Sequence, residues 1–217
     1  MAPLTLIIGN KNYSSWSLRP WMLLRHIGLD FTEQVIPLDR PDSTTRIQAV
    51  NPAGTVPVLR HGALVIWESL AICEYLCELT GRGLPPAGPK RALARSVSAE
   101  MHSGFEALRT AWPMNARAVG RRTEISPALA RDIARIDSLW SECRSTYGAS
   151  GPWLFGDYSL ADAMYAPVAL RFRTYGAQLS LGAQRYLGTV LEDSILREWI
   201  AAAAAEVWVL SVDTTGL

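Results

Sequence analysis

The segment Asn51-Pro-Ala-Gly-Thr-Val-Pro-Val-Leu59, followed by Glu68-Ser-Leu-Ala-Ile72, decides the fold of this chain. The first motif is a Pro/Gly turn that enters a β-rich stretch through the Val56-Pro57 bond, and the second is an acidic residue and a serine that open a helix. Only about 5–6% of X-Pro bonds in folded proteins are cis, but the two motifs together favour a cis bond here. The N–H and C=O of Val56 would then face outward, free to pair with an extended peptide.

The serine of the second motif, Ser69, adds an anion site to this peptide-binding edge. The first turn of a helix presents free N–H groups and the positive end of the helix dipole, and both favour a carboxylate. A cis-proline edge beside such a helix start therefore predicts a receptor for a small peptide with a free α-carboxylate.

Two patterns in this region, N-P-x-G-x-V-P-x-L and E-S-x-A-I-x-x-Y-L, resemble the signature of the thioredoxin-like half of the glutathione transferase superfamily. The second pattern ends at Tyr75-Leu76. The resemblance implies an α/β, thioredoxin-like domain over residues 1–81 that binds glutathione. It also implies an all-helical domain over residues 90–217 that forms the electrophile site.

Hydrophobic periodicity and turn residues predict elements in the order β-α-β, a connecting segment, β-β-α, and then helices alone. Strands are predicted over 4–9, 31–38, 56–59 and 64–67, and helices over 17–27, 68–79 and, as a helical or irregular segment, 44–50. The Gly/Pro-rich residues 81–89 are the predicted linker. Further helices are predicted over 91–111, 126–147, 160–175, 182–191 and 194–205. Ser159 and Asp162 predict a capping box, and they match the looser resemblance over residues 150–172.

The candidate catalytic residues lie in Asn12-Tyr-Ser-Ser-Trp-Ser-Leu-Arg-Pro20, after the first strand. A serine hydroxyl at a helix N-terminus stabilises a bound thiolate and lowers the thiol pKa from about 8.5. The S-S-x-S spacing is similar to the S-S-C-S motif of the zeta class, which implies that Ser14, with Ser15 adjacent, contacts the thiol of glutathione. Trp16 stands where the zeta class has cysteine, and this difference disfavours zeta-type isomerase and thiol-transferase chemistry.

The resemblance also implies a set of residues that bind glutathione. Ser69 and the nearby N–H groups would hold the γ-glutamyl carboxylate, and Glu68 would hold the γ-glutamyl ammonium group. Many relatives have Lys or Gln where this chain has Thr55, so Arg40, Arg46 or another basic residue is expected to hold the glycyl carboxylate. The candidate set is Thr55, Val56, Pro57, Glu68, Ser69 and Arg40.

The electrophile is expected to bind between the two domains, lined from the early loop and the first helix of the second domain. The candidates, any of which could instead be core residues, are Tyr13, Trp16, Phe105 and Trp112, with Met101 and Met114. Two arginines of a later helix, Arg171 and Arg173, are expected to pair with an acidic residue or a helix end. The acidic candidates are Asp157 and Asp162.

The composition excludes several other classes of protein. A net charge of +1 disfavours a nucleic-acid surface, and the chain has neither a run of about 18 apolar residues nor the basic start of a signal peptide. The three cysteines, Cys73, Cys77 and Cys143, are predicted to be buried thiols in the cytoplasm, without a metal. The resemblance implies a homodimer, and the helix over 91–111 is the predicted interface.

The resemblance implies a glutathione S-transferase that attacks a small hydrophobic electrophile with the thiolate of glutathione, a reaction of detoxification. One alternative is a glutathione-dependent cis–trans isomerase of a maleyl-type acid, which the S-S-x-S motif supports and Trp16 weakens. Another is a non-catalytic glutathione-binding or regulatory module. A thioredoxin-like redox protein is excluded, because residues 14–17 contain no cysteine.

Overall fold

The computed structural model describes residues 2–216, as an α/β part followed by a part made of helices. The strands are β1 (Leu4–Ile8), β2 (Thr32–Val35), β3 (Val58–His61) and β4 (Leu64–Trp67). They form one sheet in the order β2-β1-β3-β4. Strand β1 pairs parallel with β2 and antiparallel with β3, and β3 pairs antiparallel with β4. This is the thioredoxin-like sheet that the sequence predicts.

Alternating residues of β1 contribute to two separate hydrophobic clusters, because successive side chains of a strand point to opposite faces of the sheet. Leu6 and Ile8 belong to the main core, together with apolar side chains of α1 (Ser15–His26) and α3 (Ser69–Thr80). Ile7 packs in a smaller cluster with Ile47 of α2 (Ser43–Val50). The sheet therefore lies between α2 on one face and the helices of the main core on the other.

The second part contains six α-helices among the described residues. They are α4 (Pro89–Ser103), α5 (Glu106–Ala111), α6 (Pro127–Tyr147), α7 (Leu160–Tyr175), α8 (Leu181–Glu192) and α9 (Ser194–Ala204). Helix α7 is buried on almost every side and contacts α1, α3, α4 and α8. A helix that is buried all round forms the centre of a core, and through its contact with α1 this one joins the two parts of the molecule.

The predicted capping box at the start of α7 is confirmed. One carboxylate oxygen of Asp162 accepts hydrogen bonds from the backbone N–H and the hydroxyl of Ser159, at 2.9 and 2.8 Å. The other oxygen accepts from the backbone N–H of Leu154 and from the hydroxyl of Tyr186, both at 2.9 Å. These four bonds connect the preceding loop and α8 to the start of the central helix.

The prediction of one continuous helix over residues 91–111 is wrong. The chain breaks between α4 and α5 at Gly104 and Phe105, and Phe105 has a positive φ of 56°. A Cβ atom at position 104 would lie 2.8 Å from the carbonyl oxygen of Glu100, so the backbone makes this turn only with glycine. The break separates α4 from α5.

The remaining elements match their predicted ranges within a few residues. Helix α1 begins at Ser15 rather than Ser17, with Ser14 as its N-cap, and β2 ends at Val35 rather than Leu38. Residues 81–88 contain neither helix nor strand and separate the two parts, as the predicted linker does. Across residues 2–216, every helix is too short or too polar to span a bilayer.

Candidate active site

A pocket of about 260 Å³ opens where the N-termini of α1 and α3 meet the loop that precedes β3. Its lining consists of Trp16, Thr55, Val56, Pro57, Glu68 and Ser69. Five of these are predicted glutathione-binding residues, and Trp16 is a predicted substrate-pocket residue. The structure thus brings into one cavity two sequence motifs that are separated along the chain.

The loop on one side of the pocket is shaped by the buried side chain of Asn51. Its Nδ2 donates to the carbonyl oxygen and the hydroxyl of Thr55, at 2.9 and 3.2 Å, and its Oδ1 accepts from the backbone N–H of Ala53 at 3.1 Å. The Val56-Pro57 bond that follows is cis, as the sequence predicts. This arrangement places Thr55, Val56 and Pro57 along the wall of the pocket.

The opposite wall is the start of α3. Glu68 precedes the helix with φ 69°, a left-handed backbone conformation that is costly for a residue other than glycine. Such strained positions cost about 1–3 kcal/mol and cluster at functional sites. Ser69 is 1% exposed, and its hydroxyl has no hydrogen-bond partner among residues 2–216. A buried hydroxyl at a helix N-terminus, on a residue that lines a pocket, fits the carboxylate of a ligand.

The two candidate catalytic serines lie beside this pocket but are not part of its lining. Ser14 caps α1, accepting from the N–H of Ser17 at 3.4 Å, and its hydroxyl donates to the Ser17 hydroxyl at 2.7 Å. The Ser17 oxygen also accepts from the N–H of Gly9, at 3.1 Å. Ser15 instead accepts a hydrogen bond from Nη2 of Arg171 at 3.2 Å. The two neighbouring serines therefore have different partners.

The predicted ion pair of Arg171 with Asp157 or Asp162 is wrong, and the alternative, a helix end, is confirmed. Nη1 of Arg171 donates to the carbonyl oxygens of Arg109, at 3.2 Å, and Trp112, at the C-terminal end of α5. Free carbonyls at a helix C-terminus attract a cation. Arg173, the second arginine, donates to the carbonyl oxygen of Ala116. Asp162 is already occupied by the capping box.

Positive charge collects next to Trp16. The guanidinium of Arg19 lies 4.1 Å from the centroid of the Trp16 ring, and that of Arg109 lies 5.5 Å from it. Arg19 is 1% exposed, and its Nε and Nη1 have no hydrogen-bond partner among residues 2–216. Burial and the nearby Arg171 lower the pKa of Arg19 to about 9, so it still carries its charge at neutral pH.

His102 of α4 reaches the same region from the second domain. Its ring makes an edge contact with Trp16, with centroids 5.4 Å apart, and its Nε2 lies 3.7 Å from a carboxylate oxygen of Glu68. Burial and the charge of Arg19 lower the pKa of His102. The imidazole is therefore neutral near pH 7, and the negative charge of Glu68 is not cancelled by it.

Three predicted substrate-pocket residues do not line the pocket. The hydroxyl of Tyr13 donates to Asp213 at 2.7 Å, in a network near the C-terminal end of the described chain. Phe105 is buried at the break between α4 and α5, with its ring 6.5 Å from that of Tyr165. Trp112 is 1% exposed and stacks on a neighbouring tyrosine. Of the four candidates, Trp16 alone reaches the cavity.

The predicted basic partners of the glycyl carboxylate are also absent from the lining. Arg40 is exposed on the loop before α2, where its backbone N–H donates to the Ser43 hydroxyl at 2.8 Å. Arg46 lies on α2 and forms an exposed ion pair with Asp42 at 3.5 Å. Both residues lie in the segment between β2 and the pocket loop, so a bound tripeptide would have to extend out of the cavity to meet them.

Sequence reasoning missed Arg19, Arg109 and His102, all of which contact Trp16. Arg19 follows Trp16 by three positions in α1, a spacing that places two side chains on one helix face, so this contact could have been found. Arg109 and His102 reach Trp16 from the second domain by tertiary packing, and no sequence spacing indicates it.

Within residues 2–216 there is no cluster of three or more His, Cys, Asp or Glu that could hold a metal ion. The three cysteines are free and buried. Burial raises the pKa of Cys77 and of Cys143 to about 12, so these thiols are protonated and unreactive at neutral pH. The nucleophile of any thiol chemistry here must come from a ligand.

Comparison with known proteins identifies the family. The N-terminal domain of glutathione S-transferases matches residues 13–79, and the C-terminal domain matches residues 126–202. Glutathione S-transferase 1 of Dianthus caryophyllus is 30% identical over 162 residues, which cover 70% of this chain and 70% of that protein. Maleylacetoacetate isomerase of Rattus norvegicus is 28% identical over 178 residues, covering 78% of each.

A solved structure shows the same fold. The glutathione transferase homologue of a Burkholderia species, BGR1, determined with bound glutathione, superposes with a TM-score of 0.68 at 24% identity, covering 94% of this chain and 100% of that one. The chain belongs to the glutathione S-transferase family. The fold and the family that the sequence predicts are both confirmed.

Proposed function

We propose that this protein is a glutathione S-transferase that binds glutathione in the 260 Å³ pocket and directs its thiolate at a small electrophile. The observation that carries this proposal is the buried hydroxyl of Ser69, which has no hydrogen-bond partner among residues 2–216 and belongs to a residue that lines the same cavity as Val56 and Pro57. A buried hydroxyl without a partner at a helix start requires a hydrogen-bond acceptor. On the other wall of the pocket, the backbone N–H and C=O of Val56 can pair with the backbone of a bound peptide. A tripeptide with a free α-carboxylate meets both requirements.

Each end of glutathione has a candidate partner. Ser69 and the N-terminus of α3 hold the γ-glutamyl carboxylate, while the carboxylate of Glu68 holds the adjacent ammonium group. Val56 pairs with the peptide backbone beside Pro57, and Thr55 lines the path towards the glycyl end. Arg40 is the candidate for the glycyl carboxylate, because it is an exposed cation in the segment that precedes α2.

The serines at the start of α1 stabilise the thiolate. Glutathione supplies the nucleophile when bound, and the protein supplies a hydroxyl of Ser14 or Ser15 and the positive end of the α1 dipole. Arg19, which packs on Trp16, and Arg171, which donates to Ser15, add two buried positive charges near the start of α1. Holding the thiolate and an electrophile together contributes the rest of the rate enhancement through proximity.

The electrophile binds between the two domains, on the side of Trp16 that faces the second domain. Tyr13, Phe105 and Trp112 then support this region from the core rather than line the glutathione pocket. The contacts of Trp16 with Arg19 and Arg109 make this side of the site both aromatic and positively charged.

That positive charge favours a second candidate function, a glutathione-dependent isomerase of a maleyl-type acid. Arg19, Arg109 and Arg171 form no ion pair with a carboxylate of the described residues, so an acidic substrate could supply the missing negative charge. The rat relative is named maleylacetoacetate isomerase. Isomerisation of maleylacetone with catalytic glutathione would establish this activity, whereas conjugation of a neutral electrophile without isomerisation would favour the transferase.

We further propose a cytoplasmic homodimer. The reduced, buried cysteines suit the cytoplasm. The exposed apolar residues Leu64 and Trp67 of β4 and Leu93 of α4, 49%, 46% and 37% exposed, are the candidate interface residues, on the edge strand and on the predicted helix. Light scattering at micromolar concentration tests the dimer.

Calorimetric titration with glutathione, followed by a thiol-conjugation screen on the same sample, tests the proposed function. Binding with turnover supports it. Binding without turnover of any electrophile or of maleylacetone would favour the non-catalytic module, and absence of binding would contradict both enzymatic functions.

A further inference from the structure

The two domains are linked at the active site by a hydrogen bond between Ser15 and Arg171. Nη2 of Arg171, in α7, donates to Oγ of Ser15 at 3.2 Å, while Nη1 of the same guanidinium holds the C-terminal end of α5. Arg171 is 5% exposed and Ser15 is 8% exposed. The guanidinium is therefore fixed at three points, and the direction of its bond to Ser15 is determined by the packing of the second domain.

Ser15 and Ser14 differ in what their hydroxyl protons do. The Ser14 proton is used inside the turn, because Ser14 donates to Ser17 at 2.7 Å. The Ser15 oxygen accepts from Arg171, and its own proton has no acceptor among residues 2–216. A hydroxyl that accepts from a cation is polarised and donates more strongly. Of the two serines, Ser15 is the one with a free and strengthened donor.

Among residues 2–216, no carboxylate is in ion-pair contact with Arg171. The charged groups nearest to it are the guanidinium of Arg109 on α5 and that of Arg19 on α1. The nearby phenol of Tyr175 on α7 is uncharged at neutral pH, because burial raises its pKa above the ordinary value of 10.0. The donor is therefore a cation whose effect on Ser15 is not weakened by an ion pair with a carboxylate of the described chain. An anion that accepts a hydrogen bond from Ser15 would be stabilised by the positive charge of Arg171, with only the Ser15 hydroxyl between them.

We propose that Arg171 is a positioning residue that orients and polarises the Ser15 hydroxyl, so that Ser15, rather than Ser14, donates the hydrogen bond to the sulfur of bound glutathione. This inference rests on the proposed function and assigns the roles of two residues within it. The thiol proton is released to solvent when the thiolate forms. Because Arg171 belongs to α7 and Ser15 to α1, activation of the thiol depends on correct docking of the second domain.

Ultraviolet titration of the thiolate of bound glutathione against pH, at saturating glutathione, measures this effect directly. Ser15→Ala should raise the pKa of the bound thiol by about one to two units, the equivalent of one hydrogen bond to a charged group. Ser14→Ala is the matched control on the neighbouring residue, and it should shift the thiol pKa less while lowering thermal stability through loss of the α1 cap.

A double-mutant cycle separates two effects of Arg171 on the thiol pKa: polarisation of the Ser15 hydroxyl, and the direct electrostatic effect of the guanidinium on the thiolate. Arg171→Gln should raise the thiol pKa more in the wild-type background than in the Ser15→Ala background, because only the wild type has the hydroxyl through which Arg171 acts. Since Arg171 also holds the end of α5, Arg171→Lys, which keeps the charge but not the planar fork, is the second variant. Arg171→Lys should raise the pKa of the bound thiol towards the value measured in Ser15→Ala.

The outcomes that overturn the inference differ from those that overturn the proposed function. Equal shifts in the two backgrounds, or a large shift in Ser14→Ala with none in Ser15→Ala, would refute the role of Arg171 and Ser15 while leaving a working transferase. If the Arg171 variants do not fold, the comparison of Ser15→Ala with Ser14→Ala decides the assignment. Wild-type protein that binds glutathione without thiolate, or does not bind it, would refute the proposed function itself.

Discussion

The guanidinium of Arg19 lies 4.1 Å from the centroid of the Trp16 ring, inside the molecule. Trp16 also lines the pocket proposed for glutathione. Its indole is therefore the wall between the tripeptide site and a buried positive charge. The residue that departs from the zeta motif thus has a structural consequence, because a cysteine could not form this cation–π contact.

Loss of the Ser69 hydroxyl should weaken glutathione binding. The hydroxyl is buried at the start of α3 and has no partner within residues 2–216, so a ligand carboxylate is its expected acceptor. We expect Ser69→Ala to reduce affinity by about 1–3 kcal/mol, measured by calorimetry. Ser96→Ala, at an exposed serine of α4, is the control. Affinity equal to that of the wild type would remove Ser69 from the site.

Two variants separate the effect of the strained backbone at position 68 from the effect of the Glu68 charge. Glu68→Gln keeps the strained φ of 69° but loses the charge, and Glu68→Gly loses both. Each should bind glutathione up to about fivefold more weakly, because a half-exposed carboxylate contributes at most about 1 kcal/mol to an ion pair. Thermal unfolding should show Glu68→Gly to be the more stable of the two, by about 1 kcal/mol. Wild-type affinity in Glu68→Gln would contradict an ammonium site at this position.

The Tyr13–Asp213 hydrogen bond should make stability depend on pH. Partial burial opposes ionisation of Asp213, but hydrogen bonds from Tyr13, Asn115 and Arg117 outweigh it and lower the pKa below its ordinary value of 3.8. A lowered pKa in the folded state stabilises the protein above the unfolded-state value, and this contribution is lost as the pH falls through the folded-state value. Asp213→Asn should therefore destabilise the protein by about 1–2 kcal/mol at pH 7.

Chemical denaturation at several pH values tests this dependence. The difference in the free energy of unfolding between wild type and Asp213→Asn should be constant from neutral pH to about pH 4 and should shrink below about pH 4. Glu78→Gln, at an exposed glutamate of α3, is the control and should show no such difference. If the difference is the same at pH 3 as at pH 7, Tyr13 is not held by the charge of Asp213 and becomes available again as a substrate contact.

The proposed dimer depends on exposed apolar residues of the edge strand β4 and of α4. Trp67 of β4 and Leu93 of α4 are both large and exposed in the single chain. Trp67→Glu or Leu93→Glu should shift the molar mass in light scattering from dimer to monomer, since each places a charge in an apolar interface. Val119→Glu, at an exposed apolar residue outside this group, should leave the mass unchanged. A wild-type monomer at micromolar concentration would contradict the proposal.

Local patterns in the sequence were sufficient for much of the fold and for the pocket. The Asn51–Leu59 and Glu68–Ile72 motifs predict the cis bond and both walls of the cavity, because turn chemistry and helix starts are encoded within a few residues. Gly104 shows the limit of this reasoning. Its neighbours in the sequence have helical periodicity, so no local pattern predicts a break. The requirement for glycine is apparent only in the structure, where a Cβ atom at position 104 would lie too close to the carbonyl oxygen of Glu100.

The electrostatic part of the site was not predictable from local patterns. Arg109, His102 and Arg171 meet the start of α1 only because α4, α5 and α7 dock against it, and no spacing along the chain encodes that docking. Arg171 was predicted to meet an acid or a helix end, and the structure selects the helix end. Which side chain a buried arginine contacts depends on three-dimensional packing, which periodicity alone does not specify.

The most direct test of the account is the ultraviolet difference spectrum of the wild-type protein saturated with glutathione near pH 7. We predict thiolate absorbance at this pH, because the α1 dipole, a serine hydroxyl and the buried arginines all stabilise the anion relative to a free thiol of pKa about 8.5. Saturable binding with the spectrum of the neutral thiol would contradict the account, since the pocket would then be a receptor for glutathione without the means to activate it.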